Sequence, residues 1–199
     1  MVRVFPVIEA PSREAPFWMP LPPKPWPGFI ELSAHISAVD LTLVTLTLAS
    51  YNATGVLAGS LRALASDFPP VAPGGLGVSD GFTEILPSCC CGLEDWRSWW
   101  SLLDGSGSPW LGHDPNPGVE AAGQSFIVWA DAPITEVDRN NLARVRIGRS
   151  TLIEQLAVVE QALREFAGRL QEFLAPQGIE DARSVRDLFC STFIDRAAP

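Results

Sequence analysis

The chain has 199 residues, of which 47% are apolar and 19% charged, so it can bury a sizeable core and global disorder is excluded. Its net charge is −9, which repels phosphate backbones and disfavours a nucleic-acid partner. No apolar run is long enough to cross a membrane, so we expect no membrane association.

Residues 1–28 form a proline-rich segment that holds eight of the eighteen prolines. Proline fixes φ and lacks an N–H donor, so we predict an extended or polyproline II arm that is neither helix nor central strand. The PxxP pattern within residues 20–25 could bind an aromatic groove of another protein. We favour packing on the arm's own domain through Phe17, Trp18 and Trp26, because exposed aromatic side chains in a free tail lower solubility.

The segment after the arm predicts strands. Apolar and polar residues alternate over 29–37, and a second alternating run over 41–48 shifts parity once, which indicates two neighbouring strands and a β-bulge. Residues 69–81 are rich in Pro, Gly, Ser and Asp and predict a loop. A short strand is expected at 82–86.

The middle of the chain predicts one helix and two further strands. Residues 92–103 carry apolar side chains at helical spacing. Segments 125–130 and 143–148 are rich in strand-forming residues. Alternation in the second of these places Arg144 and Arg146 on a solvent-facing side.

The C-terminal third predicts a helix pair. Thr151 and Glu154 fit a capping box that begins a helix over 151–174, and a shorter helix is expected over 182–193. A single apolar seam follows the long helix with alternating steps of four and three residues: Leu152, Leu156, Val159, Leu163, Phe166, Leu170 and Phe173.

The order of these elements predicts an α+β fold, with a small, mostly antiparallel sheet packed against the long C-terminal helix and the shorter second helix. Residues 1–28 would form the arm and residues 29–199 a single globular domain. If the shorter helix leaves the seam uncovered, two copies could pair through the 151–174 helix. The alternatives are therefore a monomer and a homodimer, and amphipathic spacing alone favours packing within the chain.

Three of the four cysteines are consecutive, at Cys89, Cys90 and Cys91. They precede the predicted helix 92–103, whose N-terminus favours thiolates, whereas acidic residues in its first turn disfavour them. Zinc ligands are usually separated by two to four residues, so we expect adjacent thiols to point apart and to make a poor chelate. We favour the interpretation that these cysteines are small buried hydrophobes packed against tryptophans such as Trp96.

The alternative interpretation is a metal or redox site at the same cysteines. Cys89 and Cys91 could converge in an extended segment, with His113 and Cys190 completing a tetrahedral set. Nothing in the sequence brings those four residues together, so whether the cysteines bind metal stays open.

A second polar cluster lies in the turn-rich loop 112–118, just after Trp110. The adjacent His113 and Asp114 could serve as an acid–base pair or as metal ligands, since loops often hold functional groups. The Asp-Pro and Asn-Pro dipeptides are also ordinary turn formers. We therefore treat Trp110, His113 and Asp114, with the three cysteines and Trp96, as candidates for contact with a ligand or partner.

Standard catalytic and cofactor motifs are not recognisable. Residues 77–81 match G-x-S-x-G in letters, but a nucleophile elbow requires a strand before the serine and a helix after it, and the flanking sequence predicts neither. No glycine-rich phosphate loop occurs. We assign no catalytic residue and expect no cofactor.

Two functional hypotheses remain. The first is a non-enzymatic protein-interaction module, comparable in character to bacterial immunity or inhibitor proteins, whose acidic surface would bind a basic protein. The second is a thiol- or metal-dependent enzyme centred on residues 89–91 and the His113–Asp114 loop. The N-terminus lacks the apolar stretch of a signal peptide and the cysteines do not form a disulfide framework, so we expect a cytoplasmic protein.

Overall fold

The computed structural model of the protein describes residues 1–11, 21–52, 71–132, 140–177 and 182–195. In this part of the chain, two antiparallel sheets and several helices confirm the predicted α+β class. The chain divides into two compact units. Unit 1 contains Met1–Pro6 and Gly74–Glu160, and unit 2 contains Val7–Pro73 and Gln161–Ala197.

The first sheet consists of β1 (Arg3–Glu9), β2 (Phe29–Glu31), β3 (Gly74–Ser79) and β4 (Glu84–Ile85), in the order β2-β1-β3-β4. β1 is thus an interior strand, and the expectation that the proline-rich segment contains no central strand was wrong. Val4, Phe5, Val7 and Ile8 are all buried. Burial of these strand-forming side chains outweighs the unfavourable position of the proline between them.

The remainder of the proline-rich arm is described only from residue 21 onward. Phe17 and Trp18, two of its expected anchors, lie outside the described residues. The third, Trp26, is half-buried, and its indole N–H donates to the carbonyl of Pro22 at 3.0 Å. The backbone N–H of Ala10 donates to the carbonyl of Gly28 at 3.0 Å, next to the antiparallel pairing of β1 with β2.

Residues 41–48, predicted as a strand, lie instead in the helix α1 (Ala38–Asn52). Side chains are buried on every side of α1 from Leu41 to Ala49, so the alternating pattern did not mark a buried and an exposed face. The hydroxyls of Thr42 and Thr45 donate to carbonyls one turn earlier, at 2.9 and 2.6 Å, which satisfies them within the helix.

The start of α1 carries an N-cap, Ser37, that the sequence prediction missed. The Ser37 hydroxyl accepts a hydrogen bond from the backbone N–H of Asp40 at 3.1 Å and donates to its carboxylate at 2.8 Å. The strand predicted over 29–37 is limited to the three residues of β2, because a turn follows in which the N–H of Ile36 donates to the Ser33 carbonyl at 3.3 Å.

In unit 1, the strand expected over 82–86 is confirmed by β4, but β3 occupies part of the predicted loop 69–81. All six residues of β3 are buried, although three of them are glycines. Gly77 allows a close approach, because a Cβ at this position would lie 2.7 Å from the ring of Phe5. The small residues of β3 therefore allow close packing in the core, whereas composition alone predicts a loop.

The helix predicted over 92–103 forms as a 3₁₀ helix (Leu93–Trp100) that continues into the short helix α2 (Ser101–Asp104). Its buried side chains follow a spacing of three, at Leu93, Trp96, Trp99 and Leu102. This spacing is the repeat of a 3₁₀ helix, whereas the prediction assumed the longer repeat of an α-helix.

The second sheet contains β5 (Gly118–Ala122), β6 (Ser125–Trp129) and β7 (Arg144–Gly148), joined in chain order by antiparallel pairs. β6 and β7 confirm the two predicted strands, and Phe126 and Val128 face Ile147 and Val145 across the pair. The two arginines of β7 are exposed and its two aliphatic side chains buried, as the alternation predicts.

The helix pair is confirmed as α3 (Arg149–Leu174) and α4 (Ala182–Phe193). α3 begins two residues before Thr151, so that residue lies inside the helix and the predicted capping box was wrong. The seam is buried from Leu152 to Leu170, and at its end Leu174 is buried in place of Phe173. No helix in the described residues is both long enough and apolar enough to span a membrane.

Within unit 2, aromatic side chains join α4 to α3. The ring centroids of Phe166 and Phe189 lie 5.2 Å apart, and those of Phe189 and Phe193 lie 4.7 Å apart, both in tilted arrangements. Tilted pairs at these distances add to the stabilisation that burial provides.

We predict that Gly77→Ala lowers the free energy of unfolding by about 1–3 kcal/mol, because the added methyl group would overlap the buried Phe5 ring. The control is Gly168→Ala in α3, where a Cβ meets no neighbouring atom within 4 Å. That variant should gain about 0.5–1 kcal/mol from reduced backbone entropy. Denaturant titration of both variants measures the difference, and equal stabilities would contradict this account of β3.

Candidate functional site

The candidate site lies in unit 1, where two short backbone segments pair. Cys89 and His113 form an isolated antiparallel β-bridge, in which the N–H of His113 donates to the Cys89 carbonyl at 3.2 Å. One residue earlier, the N–H of Ser88 donates to the Leu111 carbonyl at 2.8 Å. Two sequence candidates separated by more than twenty residues are thereby held side by side.

Ser88 and Gly112 fix this pairing further. The Ser88 hydroxyl lies 2.6 Å from the Pro115 carbonyl and 3.0 Å from the His113 carbonyl, and it shares its proton between them. Gly112 has φ +100°, and a Cβ there would lie 2.6 Å from the backbone of Ser88. Only glycine therefore permits the two segments to approach this closely.

The sulfur atoms of Cys89 and Cys90 lie 2.9 Å apart, and both residues are exposed. The expectation that adjacent thiols point apart was wrong for this pair. In extended backbone, successive side chains face opposite directions, but Cys90 adopts a left-handed φ of +69°. The left-handed residue breaks the alternation and brings the two side chains to one side.

His113 completes a group that we call the thiol–imidazole cluster: Cys89, Cys90 and His113. One ligand atom from each residue, two sulfurs and a ring nitrogen, lies within 4.8 Å of the other two. The His113 side chain is 46% exposed, so the cluster is open to solvent.

Asp114 orients the imidazole of the cluster. Its carboxylate Oδ2 lies 3.0 Å from His113 Nδ1, and its own backbone is left-handed with φ +59°. A carboxylate at this distance favours the tautomer in which Nδ1 carries the proton, so Nε2 keeps the lone pair. Histidines that bind metals commonly have a carboxylate beside their second ring nitrogen.

Cys91 has a different environment from its two neighbours. It is buried, and its thiol donates to the Trp110 carbonyl at 3.3 Å. Burial raises the pKa of the Cys91 thiol to about 11, and the nearby carboxylates of Asp95 and Glu94 act in the same direction. Cys91 therefore stays protonated at neutral pH and behaves as a small hydrophobe. The sequence interpretation proposed this for all three cysteines, and it was wrong for Cys89 and Cys90, which are exposed.

The remaining candidates lie outside the cluster. Trp96 is 98% buried in the 3₁₀ helix, where the Arg97 guanidinium lies over its ring at 4.7 Å. Trp110 is half-exposed, with its ring centroid 6.3 Å from that of His113. Cys190 lies on α4 in unit 2. It is not one of the described residues that form the thiol–imidazole cluster.

Two thiols and an imidazole can perform two kinds of chemistry. Sulfur and nitrogen are the donor atoms that zinc and copper ions prefer in proteins. Two adjacent thiols can also lose two electrons to form a disulfide. The cluster has the donors for both, and both use the same pair of sulfur atoms.

Ser88 and Gly112 were not identified from the sequence. Each directly precedes a residue that was singled out, which is a weak signal, since serine and glycine are common in turns. The informative feature is the backbone pairing of residues 88–89 with 111–113, a long-range contact that no local pattern indicates.

Comparisons of the chain with protein-family models, with curated proteins and with solved structures found no match.

We predict that the free energy of unfolding falls as the pH rises from about 9 to about 11, owing to Cys91. The pKa of this thiol is raised in the folded chain from its ordinary value of 9.0, so in this window the unfolded chain has released a proton that the folded chain retains. The contribution of Cys91 to the free energy of unfolding is fully present below pH 9. It is lost as the pH rises through about 11, the pKa of this thiol in the folded chain. Denaturant titrations across this range should show a steeper decline for the native sequence than for Cys91→Ala, and parallel declines would contradict the prediction.

Proposed function

We propose that the protein binds a zinc ion through Cys89, Cys90 and His113 and that its function depends on that ion. The observation that supports this proposal most strongly is the convergence of two sulfurs and a ring nitrogen within 4.8 Å on exposed side chains. Of the two hypotheses raised by the sequence, the geometry favours the thiol- or metal-dependent protein.

The distances suit zinc after a small adjustment. Zn–S bonds of about 2.3 Å in tetrahedral geometry separate two sulfurs by about 3.8 Å, and a sulfur and a nitrogen by about 3.6 Å. The sulfurs lie 2.9 Å apart, so the Cys89 and Cys90 side chains would separate by about 0.9 Å. Because both side chains are exposed, rotation about their χ1 bonds can provide this movement.

Charge favours a divalent ion. Both cysteines must lose their protons to act as ligands, which places two negative charges beside the Asp114 carboxylate in a chain of net charge −9. A dication neutralises both thiolates, whereas a monovalent ion leaves one uncompensated. We therefore assign zinc in preference to copper(I), the other thiolate-preferring ion.

Three protein ligands leave one tetrahedral position for water or for a group from another molecule. Structural zinc sites use four protein ligands, whereas catalytic sites keep one position open. A zinc ion held there would supply a Lewis acid. The exposed side of the cluster would admit the incoming group, while Asp114 would keep the His113 ring in the orientation for binding.

We predict that metal-free protein binds one zinc ion per chain. Each of the variants Cys89→Ala, Cys90→Ala and His113→Ala should weaken the zinc affinity by more than about 100-fold, because loss of an outer partner of a zinc ligand already costs about 10–100-fold. A competition titration against a chromogenic chelator measures the affinity. Cobalt(II) substitution should add the thiolate-to-metal absorption of a tetrahedral site.

The chain offers matched controls for each ligand type. Cys91→Ala and Cys190→Ala test cysteines outside the cluster, and His35→Ala tests the second of the two histidines. All three should bind zinc as the native sequence does. Equal zinc binding by the native sequence and the double variant Cys89→Ala/Cys90→Ala would overturn the proposal.

As a second candidate, we propose that the turn between β3 and β4 binds a protein partner, in line with the interaction-module hypothesis. Phe82 at this turn is fully exposed. The Asp80 carboxylate accepts hydrogen bonds from the backbone N–H groups of Phe82 and Thr83 at 2.9 and 2.8 Å, which orders the turn and lowers the pKa of Asp80. A preorganised aromatic beside a stable negative charge is suited to an apolar pocket on a basic protein.

For this second candidate, we predict that immobilised protein retains a basic protein from an extract of its host and that retention weakens with added salt. Phe82→Ser should abolish this retention with little change in stability, because the ring makes no buried contact. The control is Val158→Ser at an exposed position of α3. If both variants retain the same proteins as the native chain, Phe82 is not part of an interface.

A further inference from the structure

The sulfur pair of the thiol–imidazole cluster has a second consequence that does not require metal. Cys89 and Cys90 are exposed and their sulfur atoms lie 2.9 Å apart, while a disulfide bond measures about 2.05 Å. An approach of about 0.9 Å would therefore join them. Cys91, the third thiol of the triplet, is buried and is held by the Trp110 carbonyl at 3.3 Å.

We propose that Cys89 and Cys90 are an oxidation site at which a hydroperoxide converts the two thiols to a disulfide between adjacent residues. The loss of zinc binding on oxidation rests on the proposed function, because the oxidised sulfurs can no longer act as thiolate ligands. For the bond itself, it rests only on the geometry of the pair.

The chemistry balances with hydrogen peroxide as the oxidant. One sulfur attacks the peroxide, an S–O bond forms, the O–O bond breaks, and the departing hydroxide takes a proton to give water. The second sulfur attacks the resulting sulfenic acid, the S–S bond forms, the S–O bond breaks, and a second water leaves with the remaining thiol proton. Two thiols lose two electrons, and one peroxide is reduced to two waters.

The backbone around the pair restricts which cysteine can react second. The left-handed φ of Cys90 turns its side chain toward Cys89. The N–H of His113 donates a hydrogen bond to the Cys89 carbonyl at 3.2 Å, and the N–H of Gly74 donates one to the Cys91 carbonyl at 2.9 Å. The backbone is therefore fixed at both ends of the cysteine triplet. Pairing of Cys90 with Cys91 would require the buried thiol to leave its position.

The same restriction makes the bond easy to reduce. The Cys89–Cys90 peptide is trans, which places the two Cα atoms about 3.8 Å apart, below the usual separation of about 4.4–6.8 Å for disulfide-linked residues. A disulfide between them is strained, and strained, exposed disulfides are readily reduced by thiols. The modification is therefore reversible.

The test treats chelator-stripped protein with one equivalent of hydrogen peroxide, blocks free thiols by alkylation, and sequences the peptides by mass spectrometry. We expect the peptide with residues 89–91 to lose the mass of two hydrogen atoms, to keep Cys89 and Cys90 unalkylated, and to recover both thiols after dithiothreitol. Cys91→Ala should behave identically, and Cys89→Ala and Cys90→Ala should form no bond within the triplet. A stable sulfinic acid, a Cys90–Cys91 bond or a disulfide-linked dimer as the main product would overturn the proposal.

A second arm separates this inference from zinc binding. Zinc-loaded protein should react more slowly than stripped protein and should release zinc in proportion to the disulfide formed, as measured with a chromogenic chelator. If stripped protein forms the disulfide but never binds zinc, the proposed function fails and the oxidation site stands. If the protein binds zinc but the stripped form yields no disulfide, the oxidation site fails and the proposed function stands.

Discussion

The antiparallel bridge between Cys89 and His113 is the interaction on which the candidate site depends. It joins two segments that have no regular secondary structure of their own, and it places a thiol beside an imidazole without help from a helix or a long strand. The hydroxyl of Ser88 and the missing side chain of Gly112 make the close approach possible. A loss of this pairing would separate the cysteines from the histidine even if every sheet and helix remained.

Backbone conformation divides the three consecutive cysteines into two classes. The left-handed φ at Cys90 brings its sulfur toward Cys89 on the exposed side. Cys91 follows with its thiol turned inward, where burial and two nearby carboxylates keep it protonated. One short segment thus contains a pair of thiols available to solvent and one thiol that contributes to packing, although the three residues are chemically identical.

Elements with one buried and one exposed side could be predicted from sequence, and elements buried throughout could not. β7 alternates arginine with aliphatic residues, and the seam of α3 repeats every three or four residues, so each pattern identifies its own structure. In α1, leucine and threonine alternate but both are buried, so the alternation has no meaning for solvent exposure and the strand prediction fails. The 3₁₀ helix was located correctly, but its spacing of three appears only once its buried side chains are known.

The candidate site shows the same limit. The residue types of the cluster could be selected from sequence, because cysteine and histidine carry chemistry that few other residues provide. Their convergence could not, because it follows from one long-range backbone pairing and one left-handed residue, neither of which leaves a local periodic signal. The rule that adjacent side chains diverge holds for regular backbone, and Cys90 is the residue at which this backbone is not regular.

Electrostatics connects the two chemical states proposed for the sulfur pair. Two thiolates less than 3 Å apart repel each other strongly, and the Asp114 carboxylate and the overall charge of −9 add to the repulsion. A cation bound to both sulfurs would remove this repulsion, and so would a covalent bond in which neither sulfur is charged. The two proposed states are mutually exclusive, because a bound metal ion and a disulfide bond would use the same two sulfur atoms.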